Sequence, residues 1–78
     1  MREFLIRLKS VQDVQEFVAL ATARPYTVFI LDARNKVNGK SFMEMFCLDF
    51  RRPLRVIAHC DEEEFQAFLS DADRFLVK

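Results

Sequence analysis

Several scarcities narrow the class of this chain. In 78 residues it has one glycine, two prolines, two cysteines and one histidine, and 12 Lys and Arg are balanced by 12 Asp and Glu. Disordered segments are poor in large apolar side chains and carry net charge, whereas this chain is 51% hydrophobic with nine Phe and a formal charge of zero. A single folded domain over residues 1–78 is predicted. Cys47 and Cys60 lack Cys-x-x-Cys spacing and are too few for a disulfide scaffold, which predicts reduced thiols. The longest unbroken apolar runs, Phe17–Ala21 and Val28–Leu31, fall well below the roughly 18 residues of a membrane-spanning helix. The start, Met1 to Arg7, has an Arg in the middle of its apolar stretch and no small-residue cleavage site, so no signal peptide is predicted and a cytoplasmic address follows. The charge balance supplies no case for nucleic acid or a membrane surface as partner. A core of this size leaves no room for a large buried active site, so the chain is not expected to be an enzyme.

What is present is strongly patterned. In Glu3–Leu8, Phe4, Ile6 and Leu8 alternate with polar or outward positions, the period of a half-buried strand. Ser10-Val11-Gln12-Asp13 is a capping-box variant, followed by an apolar stripe of Val11, Val14, Phe17, Val18 and Ala21 that predicts a helix ended by Pro25. Tyr26–Leu31, rich in aromatic and β-branched residues, reads as a second strand. Lys36–Lys40 reads as a short third one, finishing at Gly39, where a positive φ is expected. Ser41-Phe42-Met43-Glu44 is another capping box opening a short helix, Arg51-Arg52-Pro53 a turn, and Leu54–Cys60 a fourth strand. Asp61 caps a last helix whose first turn is acidic and whose stripe is Phe65, Phe68, Leu69, Ala72, Phe75 and Leu76. The order βαββαβα predicts an α+β fold, a four-stranded, mainly antiparallel sheet with helices on one face. Val28, Ile30, Val56, Ala58 and Cys60 then face the helices. Leu5, Phe29, Leu31 and Ile57, with His59, face away, an apolar second face that predicts a homodimer.

Few residues carry candidate chemistry. His59 and Cys60 are strand neighbours pointing to opposite faces, so no metal site is expected, and no cofactor. Cys47 reads as a thiol filling a helix face. Arg51, Arg52 and Arg55 read as a solvated positive edge able to steer an acidic partner. Phe42, Met43 and Phe46 form either an adaptable recognition surface or, for Phe46, part of the core. Ser41 is at least an N-cap.

Val37-Asn38-Gly39-Lys40-Ser41-Phe42-Met43, then Leu48, the strand Arg55–Ala58 and the acidic start Asp61–Glu64, resemble the second half of HPr. HPr is the small phosphocarrier of the bacterial phosphoenolpyruvate-dependent sugar phosphotransferase system, and the resemblance implies its open-faced β-sandwich. The first half departs from the family. Members carry their phosphorylated histidine in Gly-(x)-His-Ala-Arg-Pro at the start of the first helix, where the family spacing places Ser10 here, with Gln12 and Asp13 in place of the Arg and Pro. Thr22-Ala23-Arg24-Pro25 lies too late in the chain to serve instead. The resemblance thus implies an HPr-like protein unable to carry phosphate on histidine. It also implies that Ser41 matches the serine phosphorylated by an ATP-dependent kinase in many Gram-positive bacteria, and that Phe42, Met43 and Phe46 match the partner-docking surface. The expected function is a regulatory or protein-binding module of sugar transport, with phosphotransferase-system enzymes or a serine kinase as partners. The alternatives are a phosphocarrier using another residue and an assembly subunit associating through the apolar sheet face.

Overall fold

A computed structural model describes residues 1–77. The elements are β1 (Arg2–Ile6), α1 (Val11–Thr22), β2 (Val28–Leu31), β3 (Lys36–Asn38), α2 (Phe42–Met45), β4 (Leu54–Ala58), α3 (Glu62–Asp71) and a closing 3₁₀ turn, Asp73–Phe75. The sheet order is β1-β4-β2-β3 and every neighbouring pair is antiparallel. β4, the last strand in sequence, therefore lies between β1 and β2. Register aligns Phe4, Val56, Ile30 and Val37 across the sheet. Val56 and Ile30 in the middle of that row are fully buried and Val37 nearly so, because alternate residues of each strand share the face the helices cover.

The helices bury most of the α1 stripe and, from the last predicted stripe, Phe68, Ala72 and Phe75, while Phe65, Leu69 and Leu76 are half-buried. Val14, Phe17, Val18 and Ala21 of α1 share one core cluster with Phe68 of α3 and with Ala72 and Phe75 beyond it. Phe17 stacks on Phe68 with ring centroids 6.0 Å apart, and Phe4 meets Phe68 edge-on at 5.3 Å. Each fully buried Phe contributes about 1.5–3 kcal/mol by leaving water, and each such ring pair about 0.5–1.5 kcal/mol more.

Several boundaries and one backbone expectation differ. β1 stops at Ile6 rather than Leu8, because the Arg7 N–H donates to the Phe75 carbonyl (2.8 Å). The last helix does not run through to Leu76. α3 ends at Asp71, and Leu76 turns extended to bridge Ile6, with the Val77 N–H donating to the Leu5 carbonyl at 3.1 Å. The tail thereby satisfies backbone groups on the outer edge of β1. α1 ends at Thr22, before Pro25 is reached, and β2 starts at Val28. β4 ends at Ala58, although the His59 N–H still donates to the Thr27 carbonyl (3.0 Å). Val11 is 57% exposed instead of buried, since the covered stripe begins one turn later at Val14. Gly39 does not have a positive φ. A Cβ there would lie 3.0 Å from Val28 Cγ1 and 3.2 Å from Ile30 Cδ1, both fully buried, so close approach favours glycine. Among the described residues no helix is long and apolar enough to cross a membrane.

Candidate functional site

Ser10 is the N-cap of α1, in extended backbone, and its Oγ accepts from the Asp13 N–H at 3.1 Å. The predicted box closes on only one side. Asp13 Oδ2 accepts from the Lys9 N–H (2.9 Å) and Oδ1 lies 3.5 Å from Arg74, which also pairs with Glu16. A carboxylate thus already stands at the positive end of α1, and the residue there offers no imidazole.

Ser41 caps α2 in the same way, Oγ accepting from the Glu44 N–H at 3.3 Å. Its box is also half-closed: the Ser41 N–H donates to the Asn38 carbonyl (3.0 Å), while Glu44 Oε1 accepts from the Asn38 N–H (3.1 Å). The Glu44 carboxylate therefore ties α2 to the end of β3, and Ser41 sits half-buried at that junction. Of the four residues of α2, Met45 is the one wholly in the core. Met43 is 79% exposed and Phe46 49%, which settles Phe46 as a surface residue. Phe42 is half-buried against the core and meets Phe46 edge-on at 4.9 Å.

The fold joins these two stretches. Ser10 and Val11 at the start of α1, with Leu8 and Val14, line a shallow groove of about 280 Å³ whose other wall is Phe46 and Phe50. Ser41 is outside that lining, one short helix away. Val11 and Phe50 were missed from the sequence as site residues. Val11 matched the core stripe, and Phe50 stands in a loop where periodicity gives no signal; an unassigned aromatic between Asp49 and Arg51 was the available hint.

The other candidates separate from this site. Cys47 lies beyond α2, exposed, its N–H donating to the Glu44 carbonyl (3.0 Å) and its carbonyl accepting from Asn35 Nδ2 (3.1 Å); its thiol fills no helix face. Burial first, then the Glu64 carboxylate, pushes the Cys60 thiol up, away from the thiolate that metal binding or nucleophilic attack requires. Its neighbour Tyr26 is pushed up to about 12, again chiefly by burial. His59 is exposed on the open sheet face, edge-on to Phe29 at 5.8 Å. Among the described residues no three His, Cys, Asp or Glu side chains converge as a metal site. On that face Leu5 is 47% exposed, while Phe29, Leu31 and Ile57 are half-buried. Register interleaves them with charge: Arg55 stands between Leu5 and Leu31, Glu3 beside Ile57, and Lys36 Nζ lies 4.2 Å over the Phe29 ring.

A four-stranded antiparallel sheet with three helices on one face and the other left open defines the HPr-like α+β sandwich. The chain is similar to the crystal structure of HPr-C-His from Thermoanaerobacter tengcongensis, with a TM-score of 0.74 and 26% identity over 92% of this chain and 90% of that one. No family model and no curated protein matches the sequence.

Proposed function

We propose that this HPr-like chain is a cytoplasmic, non-catalytic regulatory module of the sugar phosphotransferase type that binds protein partners through α2 and the adjoining groove, without carrying phosphate on histidine. The observation that carries the reading is the exposure of Phe46 and Val11 beside Ser10, with Met43 exposed on the same short helix α2, on an HPr-like scaffold. Three large apolar side chains grouped at one surface, one of them a flexible thioether, suit recognition better than solvation. Ser10 supports the loss of phosphocarriage, because its hydroxyl caps α1 where the family has its histidine and Asp13 adds negative charge beside it. Ser41 supplies the regulatory element: a kinase-added phosphate would bring about −1.5 to −2 charges to the edge of the Phe42, Met43 and Phe46 surface.

Incubation with phosphoenolpyruvate and the system's first enzyme tests the carrier half of the reading, and no acid-labile phosphate is expected. Stoichiometric phosphohistidine, which would have to be on His59, would make the chain a carrier using another residue. Incubation with ATP and an HPr serine kinase tests the other half, with intact mass and fragmentation expected to place one phosphate on Ser41. The second reading, self-association through Leu5, Phe29, Leu31 and Ile57, draws on the exposure of Leu5. It would bury Arg55, Glu3 and Lys36 along with the apolar side chains, which costs desolvation and ranks it below docking at α2.

A further inference from the structure

Opposite ends of β4 carry opposite charge. Its C-terminal end leads into Asp61–Glu64, while its N-terminal end, with the loops Asp32–Asn35 and Asp49–Pro53, opens into a cleft of about 1560 Å³. Four arginines, Arg34, Arg51, Arg52 and Arg55, line it against two aspartates. Both carboxylates are already engaged. Asp32 accepts from the N–H groups of Arg34, Asn35 and Asp49 at 2.6–2.9 Å, and Asp49 holds Arg51 in a two-pronged pair at 3.0 and 3.2 Å. Arg55 reaches Glu3 only at 3.8 Å. The guanidinium groups of Arg34 and Arg52 form no ion pair among the described residues. Apolar lining comes from Leu5, Leu31, Leu48 and Phe50.

We propose that this cleft docks an acidic, extended segment of a protein partner, its carboxylates pairing with Arg34 and Arg52 while alternate apolar side chains rest on Leu5 and Leu31. The cleft meets the groove beside α2 at Phe50, but none of its four arginines lines that groove, and the inference does not rest on that reading. Charge complementarity selects the occupant. An open cleft of this size exceeds the roughly 300–1,000 Å³ that encloses a small molecule, and guanidiniums spread over two loops and a strand suit carboxylates spaced along a chain. Nucleic acid fits less well, since the two aspartates face the same cleft and its one aromatic, Phe50, is half-buried rather than presented for stacking. A second copy of this chain would have to offer Asp61–Glu64. There Asp61 and Glu64 are tied in their own capping box, and Glu62 pairs with Arg2 at 3.1 Å.

The test is an NMR titration of the ¹⁵N-labelled protein with a synthetic peptide of alternating Glu and Leu, beside its Gln–Leu counterpart and a short single-stranded DNA. Saturable shifts are expected at the amides of Leu31, Arg34 and Arg52 with the Glu peptide only, weakening about tenfold between low and physiological salt. Arg34→Glu combined with Arg52→Glu should weaken binding by about tenfold or more, while Arg7→Glu, which makes the same kind of charge reversal outside the cleft, should not. Both variants should keep the native spectrum, which confirms folding. Equal binding of the Gln peptide, tighter binding of the DNA, equal effects of the Arg7 and Arg34/Arg52 variants, or shifts that appear on concentrating the protein alone would each overturn the proposal.

Discussion

At Gly39 the absence of one carbon atom is favoured by two buried neighbours, Val28 and Ile30, and not by backbone conformation. Gly39→Ala gains about 0.4–1 kcal/mol from a less flexible unfolded chain but faces an overpacking cost of about 1–3 kcal/mol, so urea denaturation should show a net loss of about 1 kcal/mol. A positive φ would have predicted a different rescue. Shrinking the neighbour with Ile30→Val should recover part of the loss, which backbone strain would not permit. Ser41 belongs to the same scale. Ser41→Asp keeps an oxygen to accept from the Glu44 N–H and should leave stability nearly unchanged while weakening any partner bound at α2, whereas Ser41→Ala should cost about 0.5–2 kcal/mol. If the Asp variant unfolds, or if a partner ignores both it and Phe42→Ala, the α2 surface is ordinary structure.

Helix starts show how one local motif resolves three ways. Only α3 closes its capping box reciprocally, the Glu64 N–H donating to Asp61 Oδ1 at 2.8 Å and the Asp61 N–H to Glu64 Oε1 at 3.1 Å. In α1 the acidic partner turns back to the Lys9 N–H, and in α2 it reaches across to β3. Glu44→Gln should therefore loosen the β3–α2 junction, seen as faster hydrogen exchange at the Asn38 amide, while Glu64→Gln should loosen the start of α3 and relieve part of the upward push on the Cys60 thiol. The loop after β2 has its own anchor in Asp32, which ties that loop to Asp49. Hydrogen bonds from the N–H groups of Arg34, Asp49 and Asn35 lower its carboxyl from 3.8 to about 2. Because the folded value lies below the ordinary one, the ionised form favours folding, and this contribution is complete above about pH 4 and lost as pH falls toward 2. Thermal unfolding across that window should show the midpoint of Asp32→Asn falling less steeply than that of the native chain.

In the whole molecule, stability concentrates on one aromatic cluster. Phe68 touches Phe4, Phe17 and Tyr26 and lies 4.8 Å under the Arg24 guanidinium, so α1, α3, β1 and the approach to β2 meet at one ring. Phe68→Ala should cost about 3–5 kcal/mol, comparable with the whole surplus a core of this size supplies. Collapse of amide dispersion in the ¹H–¹⁵N spectrum is the expected result, and a native spectrum would show that the cluster is redundant. The open face acts at the same scale. With Arg55, Glu3 and Lys36 set among its apolar side chains, light scattering of the native chain and of Phe29→Asp separates self-association from a solvated face: a dimer abolished by the Asp would support the former, and two equal monomers would exclude it.

The sequence by itself determined which segments are strands and helices, which side of each is apolar, and where helices start, because periodicity and capping are written within about four residues of one another. Hence the βαββαβα order, the buried Val14–Ala21 stripe and the Ser10, Ser41 and Asp61 caps were legible, and so was the resemblance to HPr. Tertiary structure alone decided that β4 inserts between β1 and β2, that the tail breaks α3 to satisfy the edge of β1, and that Gly39 is crowded rather than twisted. It also decided that Val11 and Phe50 share a groove with Phe46, and that Arg34 joins Arg52 around one cleft. Each of these depends on segments distant in the chain being brought together, where burial and unmet backbone hydrogen bonds across the whole domain outweigh what any local pattern encodes.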